Sequence, residues 1–240
     1  RAVSGGGRTE KICVKTGRKF ATLEASVCMA KPCGIACHTA VASGATILAA
    51  ACTVMSEVSL QEVDRVWCEA DCLFAREQVI AAIDEMAGEI TAQLKDSNPL
   101  LLPLMSGATV IAGKLLPRLN FHLQLDYIHA TRYRNQTSGE AVEWIVKPRH
   151  DLRDRTILVI DDILDEGITL HEVLRWCEAQ GAKKVYSAVL VEKHHNRRNP
   201  PDLKADFVGL DVPDRYVFGY GMDYKGYLRN ASGIYAVKNS

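Results

Sequence analysis

Thr156 to Leu170 reads TILVIDDILDEGITL. Thr156 to Ile160 is a continuous apolar run, the pattern of a parallel strand covered on both faces. Such a strand delivers Asp161 and Asp162 to the carboxyl edge of a sheet, where ligands collect in open α/β folds. The next turn places Asp165, Glu166, Gly167 and Thr169 at the start of a helix predicted over Ile168 to Gln180. The N–H groups and dipole of a helix start favour an anion. Gly167 lets the backbone approach that anion closely, and Thr169 offers a hydroxyl donor. Acids beside such a site repel phosphate unless a cation or hydroxyl groups intervene. A ligand with one phosphate, two vicinal hydroxyls and a metal-bound diphosphate removes the conflict. Its hydroxyls donate to the carboxylates, and Mg²⁺ links other ligand oxygens to carboxylates or their waters. The plain alternative is a solvated acidic helix cap without a ligand.

Outward from this unit, strands and helices alternate. Ser59 and Glu62 have capping-box spacing before an apolar-periodic run, and a longer helix is expected from Arg76 to Leu94. Cys68 and Cys72 fall four apart on one helical face and read as buried thiols rather than metal ligands. Asn98-Pro99 ends the helical stretch. Leu100 to Met105 reads as a buried strand, Ser106-Gly107 as a turn, Ala108 to Leu116 as a helix stopped by Pro117, and Phe121 to Ile128 as an alternating strand. Thr131 to Glu140 is a polar loop and Ala141 to Val146 a short strand. After the helix ended by Gly181, strands are expected at Val185 to Val191, Phe207 to Leu210, Val217 to Tyr220 and Ile234 to Val237. This order predicts α/β with a mainly parallel sheet.

Composition bounds the function. The 240 residues are 48% hydrophobic and 24% charged, with zero net charge. That balance argues against a protein that coats nucleic acid or an anionic membrane. No apolar run reaches the roughly 18 residues of a membrane-spanning helix. The average hides a break: residues 1–54 carry seven Lys or Arg against two acids, and the rest 22 against 27. Cys13, Cys28, Cys33, Cys37 and Cys52 also lie in the first segment. Cys28, Cys33, Cys37 and His38 lack the paired spacing of a zinc site. Residues 1–54 are therefore expected to be a disordered leader or translated upstream sequence, with Met55 as a natural start and a functional domain at 55–240.

The stretch IDDILDEGIT resembles the phosphoribosyl-pyrophosphate (PRPP) motif of type I phosphoribosyltransferases. From about Leu73 to Val237 the chain is similar to the hypoxanthine-guanine phosphoribosyltransferase family, through several motifs in order. The resemblance implies a twisted, mainly parallel sheet flanked by helices, with a small hood and a mobile lid loop. It implies Mg²⁺-dependent transfer of the 5-phosphoribosyl group from PRPP to hypoxanthine or guanine, giving IMP or GMP and pyrophosphate, in purine salvage.

The same resemblance suggests roles residue by residue. Asp161 and Asp162 match the acidic pair that holds the ribose hydroxyls, partly through Mg²⁺. Asp165 matches the residue near purine N7, the general acid/base. Glu166, Gly167, Ile168 and Thr169 match the 5′-phosphate loop. Lys193 matches the lysine that donates to the purine 6-oxo group, Tyr216 the aromatic that stacks on the base, and Val217 the residue whose backbone reads its edge. Asp223 in GYGMDY matches a second metal-linked acid, and Arg229 in YLRN an arginine on pyrophosphate. Met105-Ser106-Gly107 matches the pyrophosphate loop, which often has a non-proline cis peptide. Arg132-Tyr133 matches the Ser-Tyr pair of the lid.

Three departures from the family pattern stand out. Ser106 replaces a common Lys, Glu166 a common Thr or Ser, and Arg132 a common Ser. His194, His195, Arg197 and Arg198 read as a solvated basic loop. Partners are then small molecules, with no nucleic acid or membrane. The resemblance implies a homodimer or homotetramer, and Cys68, Cys72 and Cys177, without a pairing pattern, suit a reducing cytoplasm. A PRPP-binding regulator without transferase activity is the rival class, and xanthine the rival base that sequence does not separate.

Overall fold

The computed structural model describes residues 58–132 and 142–240, plus the backbone of two earlier strands. The chain divides into two units, Arg1–Thr53 and Val54–Ser240. In the first, β1 (Ile12–Thr16) pairs antiparallel with β2 (Lys19–Leu23). The rest of the expected leader, including Cys28, Cys33, Cys37, Cys52 and His38, and the lid residue Tyr133 lie outside the described residues.

The second unit is built on β4 (Leu100–Met105), β5 (Gln124–Leu125), β6 (Ile128–Arg132), β7 (Val142–Val146), β8 (Thr156–Leu164), β9 (Lys184–Lys193) and β10 (Phe207–Val212). Their order is β10-β9-β8-β4-β6-β7, with β5 also paired to β4. Every pairing is parallel except the antiparallel β6–β7 edge. Helices α2 (Arg76–Leu94) and α3 (Thr109–Leu115) cover one face and α4 (Ile168–Ala179) the other. The alternation of strand side chains sorts the core. Leu158 and Ile160 of β8 and Leu101 of β4 join Val79, Ile83, Met86 and Ile90 of α2. Ile157 and Val159, with Leu100 and Leu102, join Leu170, Val173 and Cys177 of α4.

A smaller antiparallel sheet has the order β11-β12-β3, from β11 (Val217–Phe218), β12 (Ile234–Ala236) and β3 (Asp71–Phe74). Its cluster combines Phe218, Tyr224, Leu228 and Ala231 with Val63 of α1 (Leu60–Glu69). Ser59 caps α1 by accepting the Glu62 N–H at 3.2 Å. The Glu62 carboxylate does not complete the box. It accepts from Tyr224 at 2.7 Å and Lys225 at 2.9 Å, tying α1 to the C-terminal loop.

Three local expectations change. Cys72 lies on β3 and not on the helix of Cys68, because α1 ends at Glu69, and neither thiol is fully buried: Cys72 is exposed and Cys68 half-buried. The alternation at Phe121 to Ile128 yields only β5, and the longer strand starts at Ile128, where pairing with β4 resumes. Strand β8 continues through both acids to Leu164, since β9 pairs with it over Ile157 to Leu164.

Leu101 is fully buried between β8 and α2. Leu101→Ala is expected to destabilise the unit by about 2–5 kcal/mol, read as a fall in the urea midpoint.

Candidate active site

The carboxyl ends of β4, β8 and β9 open onto one cavity of about 790 Å³. Asp161, Asp162, Asp165, Glu166, Gly167, Ile168 and Thr169 line it from β8 and the start of α4. Ser106 and Gly107 enter from the turn after β4, Lys193 from the end of β9, and Tyr216, Val217, Asp223 and Arg229 from the C-terminal segment. All the residues singled out from sequence meet here except the lid pair. Arg132 is the last residue of β6, and Tyr133 lies beyond the described residues. The sequence reading missed Thr131 and Met222, which also line the cavity.

Backbone geometry lets these segments converge. The Met105–Ser106 peptide is cis. A Cβ on Gly107 would collide with the Asp162 carboxylate, and one on Gly221 with the Gly107 carbonyl. Gly221 also has φ +114°, a conformation that L side chains rarely adopt. Gly167 starts α4 with φ +84°. The N–H groups of a helix's first turn have no intrahelical acceptors, and Ile168, Thr169 and Leu170 of that turn line the cavity.

The charges are arranged in two groups. In the first, the Asp162 N–H donates to Asp161 Oδ1 at 2.9 Å. Burial foremost, and then the neighbouring Asp162 charge, push the Asp161 carboxyl well above the ordinary aspartate range. Burial also raises Asp162, against the opposing pull of Asp161 and Arg229. Arg229 lies 3.9 Å from Asp162, bonds Asp223 at 2.7 Å and donates to the Gly221 carbonyl at 2.6 Å. Asp223 also accepts the Gly226 N–H at 2.6 Å. Among the described residues no three metal-binding side chains converge, so Asp161, Asp162 and Asp223 form no closed cage.

The second group surrounds Asp165. Lys193 Nζ donates to Oδ2 and His195 Nε2 meets Oδ1, each at 2.7 Å. Partial burial acts to raise Asp165, but these partners outweigh it and hold the carboxyl below its ordinary value. The basic loop is therefore not simply solvated. The His195 side chain is 2% exposed, and Arg198 is largely buried against Glu192. His194, by contrast, is exposed beside Asp211. The Glu166 carbonyl accepts the Asn199 N–H at 2.8 Å. Asp214 first, and Glu166 among weaker contributors, raise the pKa of Arg197. Tyr216 leaves 45% of its surface exposed, against an edge contact with Tyr224 at 5.4 Å.

Comparison with known proteins places this arrangement. The phosphoribosyl transferase domain family matches residues 69–225. The chain is 32% identical over 167 residues to a Bacillus subtilis hypoxanthine-guanine phosphoribosyltransferase, covering 69% of this chain and 92% of that protein. It is 28% identical over 168 residues to a Tritrichomonas foetus hypoxanthine-guanine-xanthine phosphoribosyltransferase, covering 70% and 91%. Among solved structures, a Bacillus anthracis hypoxanthine-guanine phosphoribosyltransferase superposes with TM-score 0.65 at 28% identity, covering 70% of this chain and 98% of that one.

Folding raises the Asp161 carboxyl, so the folded state holds that proton more tightly than the unfolded chain. Stability then falls as pH rises from the ordinary aspartate range toward the raised value. Asp161→Asn removes this cost. It is expected to raise the metal-free thermal midpoint at neutral pH. Mg²⁺ with PRPP should stabilise the parent more than the variant in the same melting experiment.

Proposed function

The chain belongs to the hypoxanthine-guanine phosphoribosyltransferase family, and from that premise we propose an assignment for its cavity. The protein is a purine-salvage transferase that moves the 5-phosphoribosyl group from PRPP to hypoxanthine or guanine, giving IMP or GMP and pyrophosphate. The observation that carries the assignment is the meeting of an acidic pair, a helix-start phosphate cradle, a buried lysine and an exposed tyrosine around one cavity.

The 5′-phosphate sits against Glu166 to Thr169, where N–H groups and the helix dipole meet its charge. The ribose hydroxyls donate to Asp161 and Asp162. These raised carboxyls are acids in want of a cation, and they fit Mg²⁺, which takes few protein ligands and completes its shell with water and phosphate oxygens. Asp223 is assigned as a second metal-linked acid. When bound, Mg²⁺ offsets the charge of the leaving diphosphate. Arg229 and the N–H groups of Ser106 and Gly107 add donors at the same end.

The base stacks on Tyr216, with its edge read by the Val217 backbone, while Lys193 donates to the 6-oxo group. Lysine has no acceptor for the amine of adenine. The purine nitrogen N9 bonds to C1′ as the C1′–O bond breaks, and diphosphate keeps that electron pair. Asp165 takes the N7 proton, so no charge is stranded on the base. Arg132 and Tyr133 are assigned to a lid that excludes water, since hydrolysis of PRPP competes. Cys177 is buried in the core and Cys72 forms no disulfide among the described residues, which supports a cytoplasmic setting. No helix among the described residues is long and apolar enough to cross a membrane. A homodimer or homotetramer is proposed from family membership.

The test is pyrophosphate release by the full chain with Mg²⁺ and PRPP. Hypoxanthine or guanine should support turnover, and adenine should not. PRPP binding without release for any base would favour a regulator instead. Asp165→Asn should lower turnover by about 10²- to 10⁴-fold. Lys193→Gln, which restores an acceptor, should narrow the preference for hypoxanthine over adenine by about tenfold or more, since a buried unmatched polar group no longer penalises the amine.

A further inference from the structure

His195 is two residues past the end of β9, in a loop that its neighbours pin. Arg197 pairs with both carboxylate oxygens of Asp214, at 2.6 and 2.7 Å. Arg198 donates to the Lys193 carbonyl at 3.0 Å and the Leu203 carbonyl at 3.2 Å. The imidazole inside this loop has both nitrogens engaged. Its Nδ1 lies 2.9 Å from the Arg197 backbone N–H, which can only donate. That contact assigns the lone pair to Nδ1 and the proton to Nε2. Nε2 therefore donates to Asp165 Oδ1 at 2.7 Å as a neutral imidazole.

Asp165 is thus held at both oxygens, by Lys193 on Oδ2 and by His195 on Oδ1. The two donors are not equivalent. Lys193 lines the cavity and His195 does not. In the proposed reaction, the Lys193 ammonium must serve the purine 6-oxo group. A carboxylate held by that lysine alone would lose its fixed direction when the base arrives. We infer that His195 is a positioning residue that keeps Asp165 aimed at purine N7, fixing Oδ1 and leaving Oδ2 to take the proton. Preorganisation of this kind acts on the transferring step more than on binding. The inference rests on Asp165 being the acid/base group, so its test includes that residue.

The experiment is single-turnover transfer from PRPP to hypoxanthine with saturating Mg²⁺ and PRPP, in His195→Ala, His195→Gln, Asp165→Asn and the double variant His195→Ala/Asp165→Asn. His195→Ala is expected to slow transfer about tenfold or more, as loss of a donor to a charged group does, while KM for PRPP stays within about twofold. Gln places an amide donor near the Nε2 position, so His195→Gln should recover most of the rate. Asp165→Asn should be slow, and adding His195→Ala to it should cost little more, because the two act through one carboxylate. Parental rates in His195→Ala, or equal slowing in the Ala and Gln variants, would overturn the positioning role while leaving Asp165→Asn slow. Parental rates in Asp165→Asn would sink the acid/base reading and the inference with it.

Discussion

Burial of β8 on both faces is the constraint on which the rest of the molecule depends. Ile157 and Val159 pack toward α4, and Leu158 and Ile160 pack toward α2. Side chains of this size contribute roughly 1.5–3 kcal/mol each when fully buried. That gain holds the strand in register between β4 and β9 up to its carboxyl end. It also offsets the cost of the next two residues, since Asp162 is buried and Asp161 is half-buried beside it. A less firmly held strand would relax until the two carboxylates regained solvent. The acids are costly in the ligand-free protein because the sheet does not let them move.

The second condition is close approach. The turn after β4, the end of β8 and the C-terminal loop meet where Gly107 touches the Asp162 carboxylate and Gly221 touches the Gly107 carbonyl. A side chain at either glycine would separate the segments that carry Ser106, Asp162 and Arg229. Glu62 works at longer range. By bonding Tyr224 and Lys225 from α1, it anchors the loop that holds Asp223 and Arg229.

Much of this architecture is legible in the sequence because the signals are local. The apolar runs of β4 and β8, the period of α2 and Gly181 after α4 need no partner to be read. The acidic pair and the phosphate turn come directly from a strand that carries DD near its end and a helix that begins after Gly167. Other features depend on pairing that no window contains. Strand β3 has four residues without alternation, and it exists because β12 lies beside it. The segment Phe121 to Ile128 alternates, yet only Gln124–Leu125 finds a partner on β4 before the chain turns to form β6. His195 is the clearest case. Lys193, His194, His195, Arg197 and Arg198 read as one basic run. The loop nevertheless sends His194 to the surface and seals His195 against an aspartate 30 residues earlier.

The charge balance of the cavity then explains how acids and a phosphate site coexist. Among the described residues, Asp161, Asp162, Asp165, Glu166 and Asp223 line it against Lys193 and Arg229. Lys193 pairs with Asp165, and Arg229 with Asp223 and more distantly with Asp162. Acids outnumber bases in this lining, and negative charge is least tolerable at Asp161 and Asp162, where burial opposes it. A bare diphosphate would add to that excess. One carrying a divalent cation relieves it, and the same cation satisfies the carboxylates without breaking either ion pair. In the proposed assignment the helix start of α4, beside Glu166, takes the 5′-phosphate on its N–H groups. Under that assignment a cation meets one end of the ligand and backbone N–H groups the other, which would let a cavity richer in acids than in bases hold a substrate that is itself an anion.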